Sequence, residues 1–406
     1  MITRRDFLRT GALAAAGAIP GVRLAASPLA VPQPYFGLHP FIESNPKAVF
    51  VARTRVASVK DEEAKRRTGL ELARQIFVPM ATPGVPLSHR IIFKPNYAGT
   101  DAYFYEGVVM GLKELGLKKL YFVEANGYPY WANAGFIGVN ERQGVQMNET
   151  DRRPRHFRES WEMNWATVPD GVIYKRIPHF TPIHEPDTWM LNIAKVRSHG
   201  MCLTLSVKNE QGTVVVPYTR FCPGWRMVTG VPDFMKPDIQ PDVEAHVKKL
   251  FESHVRMHYS RYNSQHELGP MHQEIWAQKT CDNQSTLKTG FAVIEDIYGL
   301  DVGETPVLTN LVMFGKDKFR LDVIAMYLGG HEPGNVNLFR TAKERGLTDT
   351  FNPWEIPVYE WVNGAAVPRK LTDFPRTPIK TYYLQLPGEP LYHMVNEPFD
   401  YDKYKV

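Results

Sequence analysis

Arg90-Ile91-Ile92-Phe93-Lys94-Pro95 and Lys119-Leu120-Tyr121-Phe122-Val123-Glu124 are two short apolar runs of strand composition with a helical pattern between them. Pro95 stops the first run, because proline cannot donate to a sheet ladder. Thr100 can cap a helix over 102–115, and Gly116 ends it. A strand, a helix and a second strand at this spacing predict a βαβ unit and therefore parallel pairing. Upstream, residues 49–56 have strand composition, and 61–77 carry a helical stripe through Leu70, Leu72, Ile76 and Phe77. Downstream the rhythm breaks over 128–187 and resumes as strands over 189–196 and 203–207. It breaks again over 213–289, apart from a helix near 241–258. Strands at 291–294 and 307–314 follow, then helices near 319–328 and 335–345. The stretch 350–406 is proline-rich, with one expected strand near 381–386. The expected fold class is α/β, with a parallel-rich central sheet flanked by helices. It forms a single domain over 27–406, with its core at about 49–330 and irregular insertions at about 128–187 and 213–289.

The composition fits that reading. A chain of 406 residues that is 43% hydrophobic and 12% aromatic can fill a large core and lacks the signature of a disordered one. No apolar run reaches the 18 residues that a membrane span requires. The formal charge of +5 is concentrated near the N-terminus, so it gives no reason to expect nucleic acid as a partner. Thr3-Arg4-Arg5-Asp6-Phe7-Leu8 precedes a mildly apolar stretch and small residues near Ala25-Ala26, and it resembles a twin-arginine export signal over 1–26. The resemblance implies the twin-arginine machinery as a partner and a periplasmic or otherwise exported location, with the signal cleaved or kept as an anchor. Cys202, Cys222 and Cys281 include no CxxC pair, which argues against a cysteine-ligated iron–sulfur cluster. Cys222 and Cys281 either pair or stay apart.

The usual nucleotide, esterase and zinc-protease signatures are absent. Polar residues at the carboxyl ends of expected strands remain, where open parallel sheets bind ligands. Lys94 is either an anion-binding point charge or a strand-ending lysine. Asn96 shapes the turn after it. His199 is a general base, a metal ligand or a structural histidine. Lys208 and Asn209 extend an anion site. Glu124 and Asp296 are acid–base groups or carboxylates for a divalent metal. Asp317 caps the helix after it, and Asp322 on that helix is suited to hold a lysine or arginine. His254 and His258, four apart, form either one edge of a metal site completed by His266, Glu267 or His272, or a polar helix face. Trp131, Trp161, Trp165 and Trp189 suit sugar stacking or packing within the insertion.

These segments together resemble the bacterial and archaeal family known as domain of unknown function 362. Its I-K-P-N segment appears as Phe93-Lys94-Pro95-Asn96. Its T-L-x-x-K-N-x-x-G run appears as Thr204-Leu205-Ser206-Val207-Lys208-Asn209-Glu210-Gln211-Gly212, and its late aspartate spacing as Asp317 and Asp322. Arg197 replaces the lysine two before His199, and the ferredoxin-like cysteine cluster of many relatives is missing. The resemblance implies a fold over about 49–330 and no established reaction.

The reading that follows is an exported enzyme acting on a small anionic or carbohydrate-like substrate. Lys94, Asn96, Lys208 and Asn209 bind, His199 transfers protons, and Glu124 or Asp296 assists directly or through a divalent metal. The alternative is a non-catalytic ligand-binding or assembly subunit. Export is directly testable. Replacing Arg4 and Arg5 by Lys should leave the protein in the cytoplasm on cell fractionation, because the machinery reads paired guanidinium groups. Unchanged export would contradict the signal.

Overall fold

A computed structural model describes residues 34–81, 83–125, 128–147, 163–200, 202–215, 238–256, 272–381 and 398–403. The twin-arginine segment, Trp161, Cys222, His258, His266 and Glu267 lie outside the described residues, as does nearly all of 381–386. The chain opens with β1 (Tyr35–Leu38), α1 (Pro40–Ser44), β2 (Val49–Arg53), α2 (Glu62–Ile76), β3 (Phe77–Met80) and β4 (Val85–Pro86). The quoted unit becomes β5 (Arg90–Pro95), α3 (Ala102–Glu114) and β6 (Leu120–Phe122). The first insertion holds α4 (Tyr128–Asn133), α5 (Phe136–Gln143), β7 (Gln146–Met147), β8 (Met163–Thr167) and β9 (Tyr174–Phe180). Then come β10 (Thr188–His199), β11 (Cys202–Thr204), α6 (Ser206–Asn209), β12 (Asp238–Ile239), α7 (Val243–Arg256) and α8 (His272–Gln284). The chain continues through β13 (Phe291–Leu300), β14 (Pro306–Gly315), α9 (Lys318–Leu328), α10 (Asn337–Glu344), β15 (Val358–Val362) and β16 (Ala365–Arg369).

Ten strands form the main sheet in the order β16-β15-β2-β14-β13-β10-β5-β6-β7, with β11 paired to β10. The run β13-β10-β5-β6-β7 is parallel, as is the β15–β2 pair. The class is therefore α/β with a mixed, parallel-centred sheet. Alternation along each strand sorts side chains to two faces. Phe50, Ile91, Phe93, Leu191, Ile193, Val293 and Phe314 share one core with α2 and α3. Val51, Ala194, Ile294 and Met313 share another with α9. Ile92 and Met190 meet a third, built from the insertions. Helices α2 and α3 cross closely because Gly107 has no side chain, where a Cβ would stand 2.0 Å from the Arg66 carbonyl.

Asp101, not Thr100, caps α3, accepting from the Tyr103 and Phe104 amides. The Thr100 hydroxyl is engaged elsewhere, with the Asn96 amide and the Ile193 carbonyl. Residues 203–207 are a strand only to Thr204. The chain then turns into α6, whose first amides, at Ser206 and Val207, donate to Asp322 at 2.8 Å each. A carboxylate from α9 thus supplies the cap that Leu205 cannot. Asp322 holds this helix rather than a lysine or arginine, and burial raises its pKa to about 7. Asp317 caps α9 as expected. Within 128–187, β7 joins the main sheet, and β8 and β9 pair in a separate sheet with β12. The proline-rich stretch contributes β15 and β16.

His254 joins the second insertion to the core. It is buried on α7, and its two ring nitrogens lie 2.8 Å from Glu274 of α8 and 2.8 Å from Glu344 of α10. Asn337 and Gln278 hold Glu274 in place. Burial pulls the His254 pKa down, but the two carboxylates outweigh it and raise the value to about 9. The folded state therefore keeps a proton that the unfolded chain releases near pH 6.5, the usual histidine value. The resulting stability is fully present below that pH and is lost as pH rises through about 9. With Glu344 partly exposed to screening, about 2 kcal/mol of unfolding free energy should disappear between pH 6.5 and 10 in urea titrations. The same loss in His254→Gln would contradict the assignment.

Candidate functional site

Lys94 is the residue before Pro95 at the end of β5, on the face shared with Ile92. Its side chain is fully buried. Its ammonium donates to Glu124 Oε2 at 2.6 Å, the Pro95 carbonyl at 2.7 Å and Asn209 Oδ1 at 3.1 Å. Three acceptors use all three protons. Asn209 returns its amide to the Lys94 carbonyl at 2.9 Å and to Asn192 Oδ1 at 2.8 Å. Asn192, opposite Lys94 on β10, donates to Glu210 Oε1 at 2.8 Å, and Lys318 meets Glu210 Oε2 at 2.7 Å. Burial lowers the Lys94 pKa against the pull of Glu124. Gly212 closes over the pair, where a Cβ would lie 2.3 Å from Glu124 Oε1 and 2.7 Å from Lys94 Nζ. Lys94, Glu124 and Asn209 therefore converge, and their convergence makes a saturated internal network.

A second ionic group occupies the other face of the same edge. Lys195 and Glu295, in register on β10 and β13, are fully buried and paired at 2.7 and 2.9 Å. The Lys195 ammonium also lies 3.3 Å from the Tyr298 ring centroid. The Asp101 amide donates to Glu295 Oε2 at 3.2 Å, and the Asp101 carboxylate takes Lys65 at 2.6 Å and the Tyr298 hydroxyl at 3.1 Å. Burial lowers the Lys195 pKa and raises that of Glu295. Asp296, the next residue, is buried, and its Oδ1 has no hydrogen-bond partner among the described residues. Burial pushes its pKa up to about 8, against the Lys195 charge and with that of Glu295. A Cβ on Gly299 would lie 3.4 Å from this oxygen and 2.6 Å from Ile379, which packs on that glycine.

The other candidates stand apart. His199 is seven positions past Asn192 on β10, roughly 20 Å further along the strand. Its ring lies 4.7 Å from that of Trp276, and its carbonyl accepts the Thr381 hydroxyl at 2.8 Å. Asn96 shapes its turn by accepting the Ala98 amide at 3.0 Å. Lys208 is half-buried on α6, and its ammonium has no hydrogen bond or ion pair among the described residues. Trp131 packs on Phe122, and Trp189 on Phe36 and Phe77, so both are packing residues. Trp165 lies under the Arg176 guanidinium. Cys281 is buried, and burial pushes its thiol up to about 12. Among the described residues no group of three or more His, Cys, Asp or Glu is placed to hold a metal ion.

Sequence reasoning gave no role to Lys65, Asp101, Asn192, Lys195, Glu210, Glu295 and Lys318. Alternation was the available signal for two of them. Lys195 follows Leu191 and Ile193 on one face of β10, and Glu295 follows Phe291 and Val293 on β13.

The model of the family described as Domain of unknown function (DUF362) matches residues 91–327. That span runs from β5 to α9 and contains both ionic groups except Lys65. No curated protein and no solved structure matches the chain. No helix among the described residues is long and apolar enough to cross a membrane.

The packing over Lys94 predicts a sharp stability effect. Gly212→Ala should lower the unfolding free energy by about 3 kcal/mol or more in urea, because the new methyl must break or expose a buried ion pair. A change within about 0.5 kcal/mol, the range of ordinary surface substitutions, would show that the contact yields freely.

Proposed function

The chain belongs to the family of this domain of unknown function, and from that premise we propose that it is an exported enzyme. It moves a proton on a small anionic or carbohydrate-like substrate at the carboxyl edge of its sheet. The observation that carries this reading is Asp296, a buried carboxyl whose Oδ1, itself buried, lacks a partner among the described residues and whose pKa is raised to about 8. A carboxyl of that kind holds its proton at neutral pH and can give it up within the range where acid–base catalysis is most effective. Lys195, fully buried and paired with Glu295 at 2.7 Å, does not meet the substrate; its charge acts on Asp296, pulling the carboxyl pKa down against burial. Asp296 donates its proton to the leaving oxygen of a substrate C–O bond as that bond breaks, and water adds to the carbon and gives its proton to the Asp296 carboxylate, which resets the acid. Lys94 and Glu124 hold the edge in shape rather than touch the substrate. The paired Arg4 and Arg5 support export.

Apolar packing of Ile379 at Gly299, three residues past Asp296, favours a second reading, in which a ligand is held without turnover. Incubating the protein in D2O with sugar acids and small hydroxy acids separates the two, with proton NMR as the readout. Catalysis predicts a new product, at a rate that falls as pH rises through about 8 and drops at least a hundredfold in Asp296→Asn. Turnover indifferent to that substitution would defeat the assignment, and binding with no turnover would establish the second reading.

A further inference from the structure

Trp354 is the most exposed large hydrophobic side chain among the described residues, at 53%. It sits in a single turn, Pro353–Glu355, between Pro353 and Pro357, and its amide donates to Asn352 Oδ1 at 3.1 Å. Tyr327 braces the indole from the side with ring centroids 5.1 Å apart, and the Arg376 guanidinium covers Tyr327 at 4.3 Å. The indole is thus held in position and still presents surface to solvent. It forms one wall of a groove of about 440 Å3, completed by Tyr359, Pro368, Arg369, Lys370 and Thr372. The size falls in the range of small-ligand sites. The groove is also rigid, since prolines and the β15–β16 hairpin set its walls, so little ordering cost attends binding.

The charged residues that line the groove, Arg369 and Lys370, are both cationic, while Glu355, Glu360 and Asp373 near them keep their negative charges. Glu360 spends one oxygen on Arg53 at 2.9 Å and the other on Arg369 at 2.8 Å. Glu355 accepts the Thr350 hydroxyl at 2.6 Å, and Asp373 accepts the Lys370 amide at 3.0 Å. The Lys370 ammonium is exposed and has no ion pair among the described residues. Arg369 keeps its terminal nitrogens outside its bond to Glu360. An exposed indole face suits the C–H face of a pyranose ring, and the Lys370 ammonium with the remaining N–H groups of Arg369 suits a carboxylate.

We propose that this groove binds acidic glycans, with a hexuronate ring stacked on Trp354 and its carboxylate held by Lys370 and Arg369. The site is separate from Asp296. In the sheet order β15 lies three strands from β13, about 14 Å across the ladder. The proposal therefore stands whether or not Asp296 is catalytic. It gives the protein a way to hold a polymeric sugar acid while its sheet edge acts elsewhere.

Isothermal titration calorimetry of the full protein tests it with a galacturonate trimer, a neutral glucose trimer and a proline decapeptide. The uronate trimer should give saturable binding that weakens with salt. Trp354→Ala should weaken it on the order of tenfold, as expected for one lost stacking contact. Lys370→Glu should weaken the uronate trimer at least as much while sparing the neutral one. Both variants change exposed side chains and should melt with the wild type, which separates lost binding from lost folding. No saturable binding of the uronate trimer, or equal binding after Trp354→Ala, would overturn the proposal. Tighter binding of the neutral trimer or the peptide would overturn it as well.

Discussion

A lysine ammonium with no exposure to water must find all its partners inside the protein, and Lys94 imposes that demand on the middle of the sheet. An unpaired buried charge costs several kcal/mol, whereas a paired and hydrogen-bonded one is tolerated. Glu124 at the end of the neighbouring strand supplies the charge, and Pro95 and Asn209 supply the remaining acceptors. For Asn209 to arrive, the chain after β11 must turn sharply, and Asp322 makes that turn a helix by taking its first two amides. For the lid to fit, position 212 must lack a side chain. Residues from four separate stretches are thereby locked to one point, which explains why so many polar side chains there are buried.

The same strands meet a different solution on the opposite face. Lys195 and Glu295 neutralise each other, and Asp101 ties Glu295 to Lys65 and Tyr298. Asp296 follows directly, with two ionic neighbours of opposite sign and a free oxygen among the described residues. One edge therefore carries a spent network and a poised one. That contrast moves the proposed chemistry away from Lys94, Glu124 and His199 and towards Asp296, which the sequence also singles out.

The fold is legible wherever local pattern and tertiary demand coincide. β5, α3 and β6 read directly from apolar runs, a proline stop and a glycine end, and the cap of α9 reads from Asp317. The pattern is silent where partners are distant. α8 has no apolar stripe because much of its buried surface is polar, through Glu274, Gln278, Thr280, Asp282 and Asn283. α6 reads as strand because its cap arrives from a residue more than a hundred positions away. β15 and β16 hide within a proline-rich stretch, where Pro368 sits on the edge strand that tolerates it. Of the candidate site, the motif residues Lys94, Glu124 and Asn209 were findable. Lys195 and Glu295 lie within strand ends that the sequence marks out, and only strand register reveals that they pair.

The account turns on the protonation state of one carboxyl, and its titration is the most direct measurement. Carbon-13 NMR of protein labelled at aspartate side-chain carboxyls, with Asp296→Asn for assignment, follows that group through pH. The account predicts a resonance with a midpoint near 8, far above the ordinary aspartate value, that vanishes in the variant. A midpoint near 4 for Asp296, the range of a solvated aspartate, would contradict it.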